Sequence, residues 1–165
     1  MARDLGPAAY SAIGRLLANR TFGRFHATVY RRVGGRGIAG RSLGIDTIVL
    51  TTTGRRTGRR RRAALYGFRD PARDGQRPPA WVVVPTNGGR RVEPAWWTNL
   101  QVEPLGEVQH RGDSWAIRAR VADPDEHARL WRHVLDAYPG YDLYRRQAGR
   151  PVPLVVLEPD PGPAS

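Results

Sequence analysis

The apolar residues of this 165-residue chain come in short runs that glycine, proline or charged residues interrupt. Ile45–Thr52 is rich in β-branched residues and ends at a glycine turn, and Trp81–Val84 ends at Pro85. Short runs of this kind, bounded by turn residues, are typical of β-strands. No run approaches the roughly 20 apolar residues that a transmembrane helix requires. The pattern therefore predicts a small fold built mainly from short strands.

The spacing of these runs predicts about half a dozen strands, joined largely by hairpins. The segments are Ile45–Thr52, Arg60–Phe68, Trp81–Val84, Val108–Gln109, Trp115–Val121 and Val152–Leu157. The first two flank the glycine turn at residues 54–58 and are expected to pair directly. Because no linker is long enough to divide the chain, residues 1–165 are expected to form one domain. The predicted class is mainly β with peripheral helices (α+β), arranged as a small antiparallel barrel.

Helical segments are predicted around these strands. Residues 8–33 carry apolar side chains at helical spacing between arginines, which predicts an amphipathic helical segment. Such a segment either covers one end of the barrel or contacts an anionic membrane surface. The other helices are predicted from Pro94 to about Val102, from Asp123 to near Pro139, and over Tyr141–Gln147. Asp123 is expected to cap its helix, with Pro124 in the first turn and Glu126 completing a capping box.

The chain is strongly basic: 27 arginines, with no lysine, stand against 15 acidic residues and give a net charge of +12. A field of this sign attracts polyanions such as nucleic acid, anionic lipid, or a ligand that carries phosphate or carboxylate groups. The chain has no cysteine, which excludes disulfides and thiolate catalysis and fits a cytoplasmic, reducing location. The four histidines lack metal-ligand spacing, so no metal is expected.

The turn between the first two strands combines hydroxyls, two glycines and two arginines. Its glycines permit positive φ angles, and consecutive amides at such a turn would form an anion-binding nest. Arg55 and Arg56 would add charge-assisted bonds to phosphate or carboxylate. In the run Arg59–Arg62 that follows, strand alternation puts Arg61 and Arg62 on opposite faces. The alternative is a solvated turn followed by a charged strand edge.

Two further segments place aromatic side chains beside turn residues. Residues 85–89 form a turn before the predicted helix at Pro94, where Trp96 would face a flat ring. Tyr138, Tyr141 and Tyr144 are three residues apart, so in a helix they would share a face. Phenols donate hydrogen bonds and protons, which suits a reactive site. The alternative in both segments is an ordinary core, because buried tryptophans and tyrosines produce the same strings.

Taken in order, these segments resemble the deazaflavin (coenzyme F-420)-dependent nitroreductase and quinone reductase family. Leu50–Gly58, followed by Arg61, resembles the LTTTGRKSGxxR signature of that family. Thr86–Gly89 and Pro94–Leu100 resemble its SNGG and PxWxxNL blocks, and Tyr138–Tyr144 resembles its YPGYxxY block. The resemblance covers nearly the whole chain. It implies a split antiparallel β-barrel of the flavin-binding barrel type.

The resemblance also implies a cofactor site between the barrel and its helices. In the family, the segment after TTTG holds the phosphate and acidic tail of the cofactor, and the SNGG and PxWxxN segments line its ring and ribityl chain. The implied cofactor-binding residues are Leu50, Thr51, Arg55, Arg56, Thr57, Gly58, Arg61, Thr86, Asn87, Gly88, Ala95, Trp96 and Asn99. The implied catalytic residues are Tyr138, Tyr141 and Tyr144. Because Tyr141 directly follows a turn, it is expected to be the least enclosed of the three.

The function that the resemblance implies is transfer of a hydride from reduced coenzyme F-420 to a small organic acceptor, such as a quinone, nitroaromatic or enone. Two alternatives stay open: a protein that binds deazaflavin without catalysis, and a basic module that binds nucleic acid. Nucleic acid is not expected as a partner, because no nucleic-acid motif is present and the tryptophans stand apart from the arginines. The protein is expected to be a monomer or a dimer.

Overall fold

The computed structural model describes residues 41–42 and 45–162, and these residues form a barrel with three α-helices. The strands are β1 (Arg41–Ser42), β2 (Ile45–Thr53), β3 (Arg60–Arg69), β4 (Trp81–Val83), β5 (Leu105–His110), β6 (Asp113–Val121) and β7 (Val155–Pro159). The helices are α1 (Ala95–Leu100), α2 (Pro124–Ala137) and α3 (Gly140–Ala148). The predicted helical segment 8–33, and with it the predicted membrane contact, lies outside the described residues. In the described ranges, no helix has the length and apolar character needed to cross a membrane.

Six strands close the barrel in the order β2-β3-β4-β7-β6-β5, and β5 pairs back onto β2. Every pairing is antiparallel, and the short β1 adds to the beginning of β2. The predicted split antiparallel barrel is confirmed, and each predicted strand is present with shifted ends. For example, β7 begins at Val155 rather than Val152. Pro151 and Pro153 have no N–H to donate to a ladder, which explains the later start.

The barrel is split between β3 and β4. β3 pairs with β2 from Arg60 to Gly67, but it pairs with β4 only through Phe68 and Arg69. In the part of the chain that the structure describes, the other edge of β3 has no strand partner along residues 60–66. Backbone groups at such an edge need water or a ligand as a partner.

Strand alternation divides the buried apolar residues into two clusters. The first cluster fills the barrel interior, where Ile48 and Leu50 of β2 pack with residues of β4 to β7. α1 closes one end of this interior with Trp96, Trp97 and Leu100. The two adjacent tryptophans are therefore core residues, although one of them also reaches the groove described below.

The second cluster lies between the outer face of the barrel and the last two helices. Leu130 and Val134 of α2 pack there with Phe68 and Val82 of the barrel. The tyrosines that surround the start of α3 belong to the same cluster. The packing fixes both helices beside the open edge of β3.

The predicted capping box at the start of α2 is wrong in its side-chain bonds. Asp123 is the N-cap residue by backbone conformation and Pro124 occupies the first turn, but the Asp123 side chain makes no cap hydrogen bond. Glu126 instead accepts a hydrogen bond of 2.6 Å from Arg120 of β6. A guanidinium offers the carboxylate a stronger, charge-assisted bond than a neutral amide does. The result ties α2 to the barrel wall.

A second ion pair fastens α2 to the loop after β3. Asp70 is buried, and its carboxylate accepts hydrogen bonds from Arg129 (2.5 Å) and from the amide of Ala72 (3.0 Å). Burial by itself would raise the pKa of the Asp70 carboxyl, but these hydrogen bonds outweigh it and hold the pKa below the ordinary value of 3.8. The folded protein therefore stabilises the charged form of this carboxyl.

We expect Asp70→Asn to lower the free energy of unfolding at pH 7 by about 1.5–3 kcal/mol, the usual contribution of hydrogen bonds to a charged group. Because the pKa of Asp70 is lowered in the folded state, its stabilisation is complete above the unfolded value of 3.8 and disappears as pH falls through the folded value. The deficit of the variant should therefore shrink below about pH 4. Urea unfolding at pH 7 and at a series of acidic pH values measures it.

Asp74→Asn is the matched control, because Asp74 is exposed and its side chain accepts only a local hydrogen bond from Gly75 among the described residues. The control should unfold within about 0.5 kcal/mol of the unmodified protein, as surface changes usually do. Equal stabilities for the two variants at pH 7 would contradict the role given to the Asp70–Arg129 pair.

Candidate functional site

A groove of about 1180 Å³ runs along the open edge of β3, between the hairpin tip, α1 and α3. Consecutive residues of β3, from Arg61 to Tyr66, line it. Strand alternation places Arg61 and Arg62 on opposite faces of β3, and both line the groove because it runs along the edge of the strand. Arg60 points elsewhere and forms an ion pair of 2.7 Å with Glu107.

One end of the groove carries uncompensated positive charge. The arginines there are Arg55 and Arg56 of the hairpin tip and Arg61 and Arg62 of β3, and Arg90 after the glycine turn also lines the groove. Across residues 45–162, none of them forms an ion pair, whereas Arg60, Arg120 and Arg129 on the barrel walls all do. The lining includes a single acidic residue, Glu93. This end of the groove therefore attracts an anion with several charges.

The hairpin tip is held against α1 by a chain of hydrogen bonds through Asn99, which is 4% exposed. The Arg55 amide donates to Asn99 Oδ1 over 3.1 Å, and Asn99 Nδ2 donates to Thr52 Oγ1 over 3.0 Å. Arg55 Nη1 also donates to Thr98 Oγ1 over 2.8 Å. These bonds fix the loop that carries Arg55 and Arg56, so Asn99 acts here as a positioning residue.

The predicted backbone nest at this tip is largely occupied by the protein itself. The amides of Gly54, Thr57 and Gly58 donate to carbonyl groups of the same turn, and the Arg59 amide donates to Thr57 Oγ1. With the Arg55 amide bound to Asn99, little of the turn backbone is left for an anion. Binding at this end therefore falls to the guanidinium groups and to the Thr57 hydroxyl, which accepts from Arg61 Nη2 over 3.4 Å and still has a proton to donate.

The turn after β4 brings backbone to the middle of the groove. Asn87, Gly88 and Gly89 have φ angles of 54°, 65° and 80°. Glycine and asparagine adopt this left-handed region more easily than other residues, which explains the local sequence. The Asn87 side chain closes the following loop by donating to the Val92 carbonyl over 2.9 Å. Thr86, Asn87 and Gly88 thereby line the groove, as the resemblance implies.

Aromatic side chains form the other end of the groove. Tyr66, Tyr141 and Tyr144 line it. Tyr138 is fully buried and does not belong to the lining, and its hydroxyl shares a hydrogen bond of 3.2 Å with that of Tyr144. Tyr138 also ends α2 with a non-helical backbone, so the three predicted tyrosines cluster without sharing one helix.

As expected, Tyr141 is the least enclosed of the three tyrosines, since Tyr144 is 4% and Tyr138 0% exposed, but it is still buried. Its side chain is 6% exposed. The ring centroids of Phe68 and Tyr138 lie 5.6 and 5.5 Å from that of Tyr141. Burial raises the pKa of Tyr141 well above the usual phenol value, and it does the same for Tyr138. A hydrogen bond from such a phenol is favourable at neutral pH, but its ionisation is not.

The structure brings together most of the sequence-predicted site. The predicted residues that line the groove are Arg55, Arg56, Thr57, Arg61, Thr86, Asn87, Gly88, Ala95, Trp96, Asn99, Tyr141 and Tyr144. Leu50 does not line it, because alternation along β2 buries its side chain in the barrel interior. Thr51 borders a separate, smaller concavity beside β5 and β6, and Gly58 lies at the hairpin tip outside the lining.

Several residues that line the groove were not predicted from the sequence. Thr47 and Thr52 on β2, Ala63 and Leu65 on β3, and Arg90 after the glycine turn all border the groove. Of these residues only Thr52 stands in a motif, and the strand residues border the groove because β3 and β4 separate there. Thr47 gave no signal in the sequence, because threonine is an ordinary residue in a strand.

The comparisons with known proteins agree on one family. The model of the family described as F420H(2)-dependent quinone reductase matches residues 22–159. A Mycobacterium tuberculosis protein of the same description is 33% identical over 138 residues, which cover 81% of this chain and 87% of that protein. The solved structure of an F420-H2 dependent reductase is 25% identical, with a TM-score of 0.56, and the match covers 68% of this chain and 93% of that one.

A further solved structure, described as a domain-swapped dimer, supports the fold. It is 23% identical with a TM-score of 0.59, and the match covers 82% of this chain and 96% of the other. The family match takes in β1 to β7 and every segment that lines the groove. The chain therefore belongs to the F420H(2)-dependent quinone reductase family.

Proposed function

We propose that this protein binds reduced coenzyme F-420 in the groove and transfers its hydride to a quinone or a related small acceptor. The observation that carries the proposal is the difference between the two ends of the groove. Arginines without ion pairs among the described residues lie at one end, and tyrosine rings lie at the other. The family relationship supports the same assignment. A cytoplasmic location belongs to this proposal as well.

The residues fit the chemical groups of such a cofactor. A phosphate and a polycarboxylate tail suit the guanidinium groups of Arg55, Arg56 and Arg61, which bind both anions through charge-assisted bonds. The backbone edge along residues 63–65 and the turn at Gly88 offer N–H and C=O groups to a polar ring. The groove volume of about 1180 Å³ exceeds the roughly 300–1,000 Å³ of a pocket for one ligand, so it accommodates a cofactor and an acceptor together.

The protein residues bind, orient and exclude water, while the bound deazaflavin supplies the hydride. Tyr66, Tyr141 and Tyr144 provide an apolar, aromatic surface for a flat acceptor. A quinone that gains a hydride carries negative charge on one oxygen until a proton neutralises it. Because burial raises the pKa of Tyr141, its phenol stabilises that charge by hydrogen bonding, and the proton comes from water.

We expect the protein to bind oxidised coenzyme F-420 more tightly than FMN or NADPH. The reason is the charged tail, which matches the arginine end of the groove and which FMN lacks beyond its phosphate. Parallel fluorescence titrations measure the three affinities. Tight binding of FMN without binding of the deazaflavin would overturn the proposal, as would steeply salt-dependent binding of DNA in place of cofactor. Binding without turnover of any quinone would favour a non-catalytic carrier.

We expect Arg56→Ala and Arg61→Ala each to weaken binding of coenzyme F-420 by about 1.5–3 kcal/mol, the usual contribution of hydrogen bonds to charged groups. The loss should shrink at high salt, because screening already weakens these contacts. Titration at low and high ionic strength measures both effects. Arg60→Ala is the matched control, since Arg60 lies on the same strand but pairs with Glu107 away from the groove. Equal losses for Arg60→Ala and Arg61→Ala would show a general charge effect and would contradict a specific site.

We expect Tyr141→Phe to lower kcat for quinone reduction by less than about 100-fold, the low end for a positioned acid–base group. The weak acidity of the buried phenol explains the modest size. The kcat of the variant should also keep the pH dependence of the unmodified enzyme between pH 6 and 9, because Tyr141 does not ionise there. Steady-state kinetics and melting temperature are measured together. An unchanged kcat with a lower melting temperature would identify Tyr141 as a core residue only.

A further inference from the structure

Thr47 places a buried hydroxyl in the floor of the groove. The residue lies near the beginning of β2, is 1% exposed and lines the groove. Within residues 45–162, its Oγ1 has no hydrogen-bond partner. A hydroxyl is both donor and acceptor, and leaving one unpaired in a protein interior costs about 1–3 kcal/mol. The position therefore offers a hydrogen-bonding group to a polar atom of a bound molecule.

The surroundings of Thr47 are apolar and aromatic. Tyr66 is its partner across the β2–β3 ladder, and Val84, Tyr141 and Tyr144 line the same end of the groove. Its neighbours on the same face of β2, Ile45 and Val49, are buried hydrophobic residues. A flat molecule with few polar atoms fits such a surface, and Thr47 presents it with one hydrogen-bonding group.

Thr47 is also remote from the charged end. Thr47 lies seven positions before Gly54 at the hairpin tip, and at about 3.3 Å per step along the strand this spans roughly 23 Å. The anionic groups that Arg55 and Arg56 would bind do not reach it. An uncharged polar atom at the aromatic end is the partner that this geometry leaves.

We propose that the Thr47 hydroxyl donates a hydrogen bond to a carbonyl oxygen of the quinone acceptor and so fixes its orientation beside the cofactor. This inference rests on the proposed function. The quinone receives one hydride, with its electron pair, and becomes a hydroquinone monoanion. One proton from water then gives the hydroquinone. Thr47 keeps its own proton throughout, and its hydrogen bond strengthens as the negative charge develops on the oxygen.

The test compares Thr47→Val, which keeps the shape and removes the hydroxyl, with Thr47→Ser, which keeps the hydroxyl. With menadione as acceptor, we expect Thr47→Val to lower kcat/KM about tenfold or more, as the loss of a hydrogen bond to a developing charge predicts. Thr47→Ser should retain most of the activity. Thr53→Val is the matched control, because Thr53 lies on the same strand, is exposed and is absent from the groove lining.

Two measurements without turnover accompany the kinetics. The melting temperature of free Thr47→Val should equal or exceed that of the unmodified protein, because the hydroxyl has no partner to lose among the described residues. The affinity for oxidised coenzyme F-420 should be unchanged, while the increase in melting temperature that menadione produces should be smaller in Thr47→Val. A structural role for the hydroxyl would give the opposite pattern.

Three results would overturn the inference while leaving the proposed function intact: an unchanged kcat/KM in Thr47→Val, a clear fall in its melting temperature, or a loss of cofactor affinity as large as the loss in kcat/KM. The last result would assign the hydroxyl to the cofactor ring. Failure of the unmodified protein to bind the deazaflavin would overturn the proposed function and this inference together, and that titration precedes any comparison of variants.

Discussion

The site depends on one interruption in the barrel, where β3 pairs with β4 only through Phe68 and Arg69. A barrel normally removes its strand edges by closing, and this one closes through β2 and β5 but, among the described residues, leaves an edge along residues 60–66. Open edges favour unwanted strand pairing, and charged side chains discourage it. The arginines at the beginning of β3 therefore protect the edge and, at the same positions, supply charge to the groove that runs along it.

Ion pairs are distributed differently on the barrel walls and around the groove. On the barrel walls, Arg120 and Arg129 bind carboxylates and connect α2 to the strands and to the loop after β3. Around the groove, the arginines have no such partner in the described residues. Like charges held together destabilise the folded state, and a bound anion removes that repulsion. Cofactor binding and stability are thus coupled through the same guanidinium groups.

Local patterns in the sequence predict the strands, the hairpin and the glycine turns, because alternation and positive φ angles are local properties. They do not predict the contact between Arg55 and Asn99, which lie 44 residues apart and meet only because the barrel closes. The enclosure of Tyr141 has a similar cause, since the turn before it suggests exposure while Phe68, distant in sequence, packs on its ring. Thr47 escaped notice because threonine is an ordinary strand residue, and only its burial without a partner makes it unusual.

The choice of an amide at Asn99 follows from what the arginine end must do. The side chain accepts from the Arg55 amide and donates to Thr52, so it supplies an acceptor and a donor in one group. A carboxylate in the same place would accept from the Arg55 amide and also from the Thr52 hydroxyl, which can reverse its bond and donate. It would also place a negative charge beside Arg55, which lines the groove and whose Nη1 lies 2.8 Å from Thr98 Oγ1. That charge would neutralise the arginines from inside and repel an anionic ligand. A neutral clamp therefore fixes the geometry of the loop while leaving its charge available to the ligand.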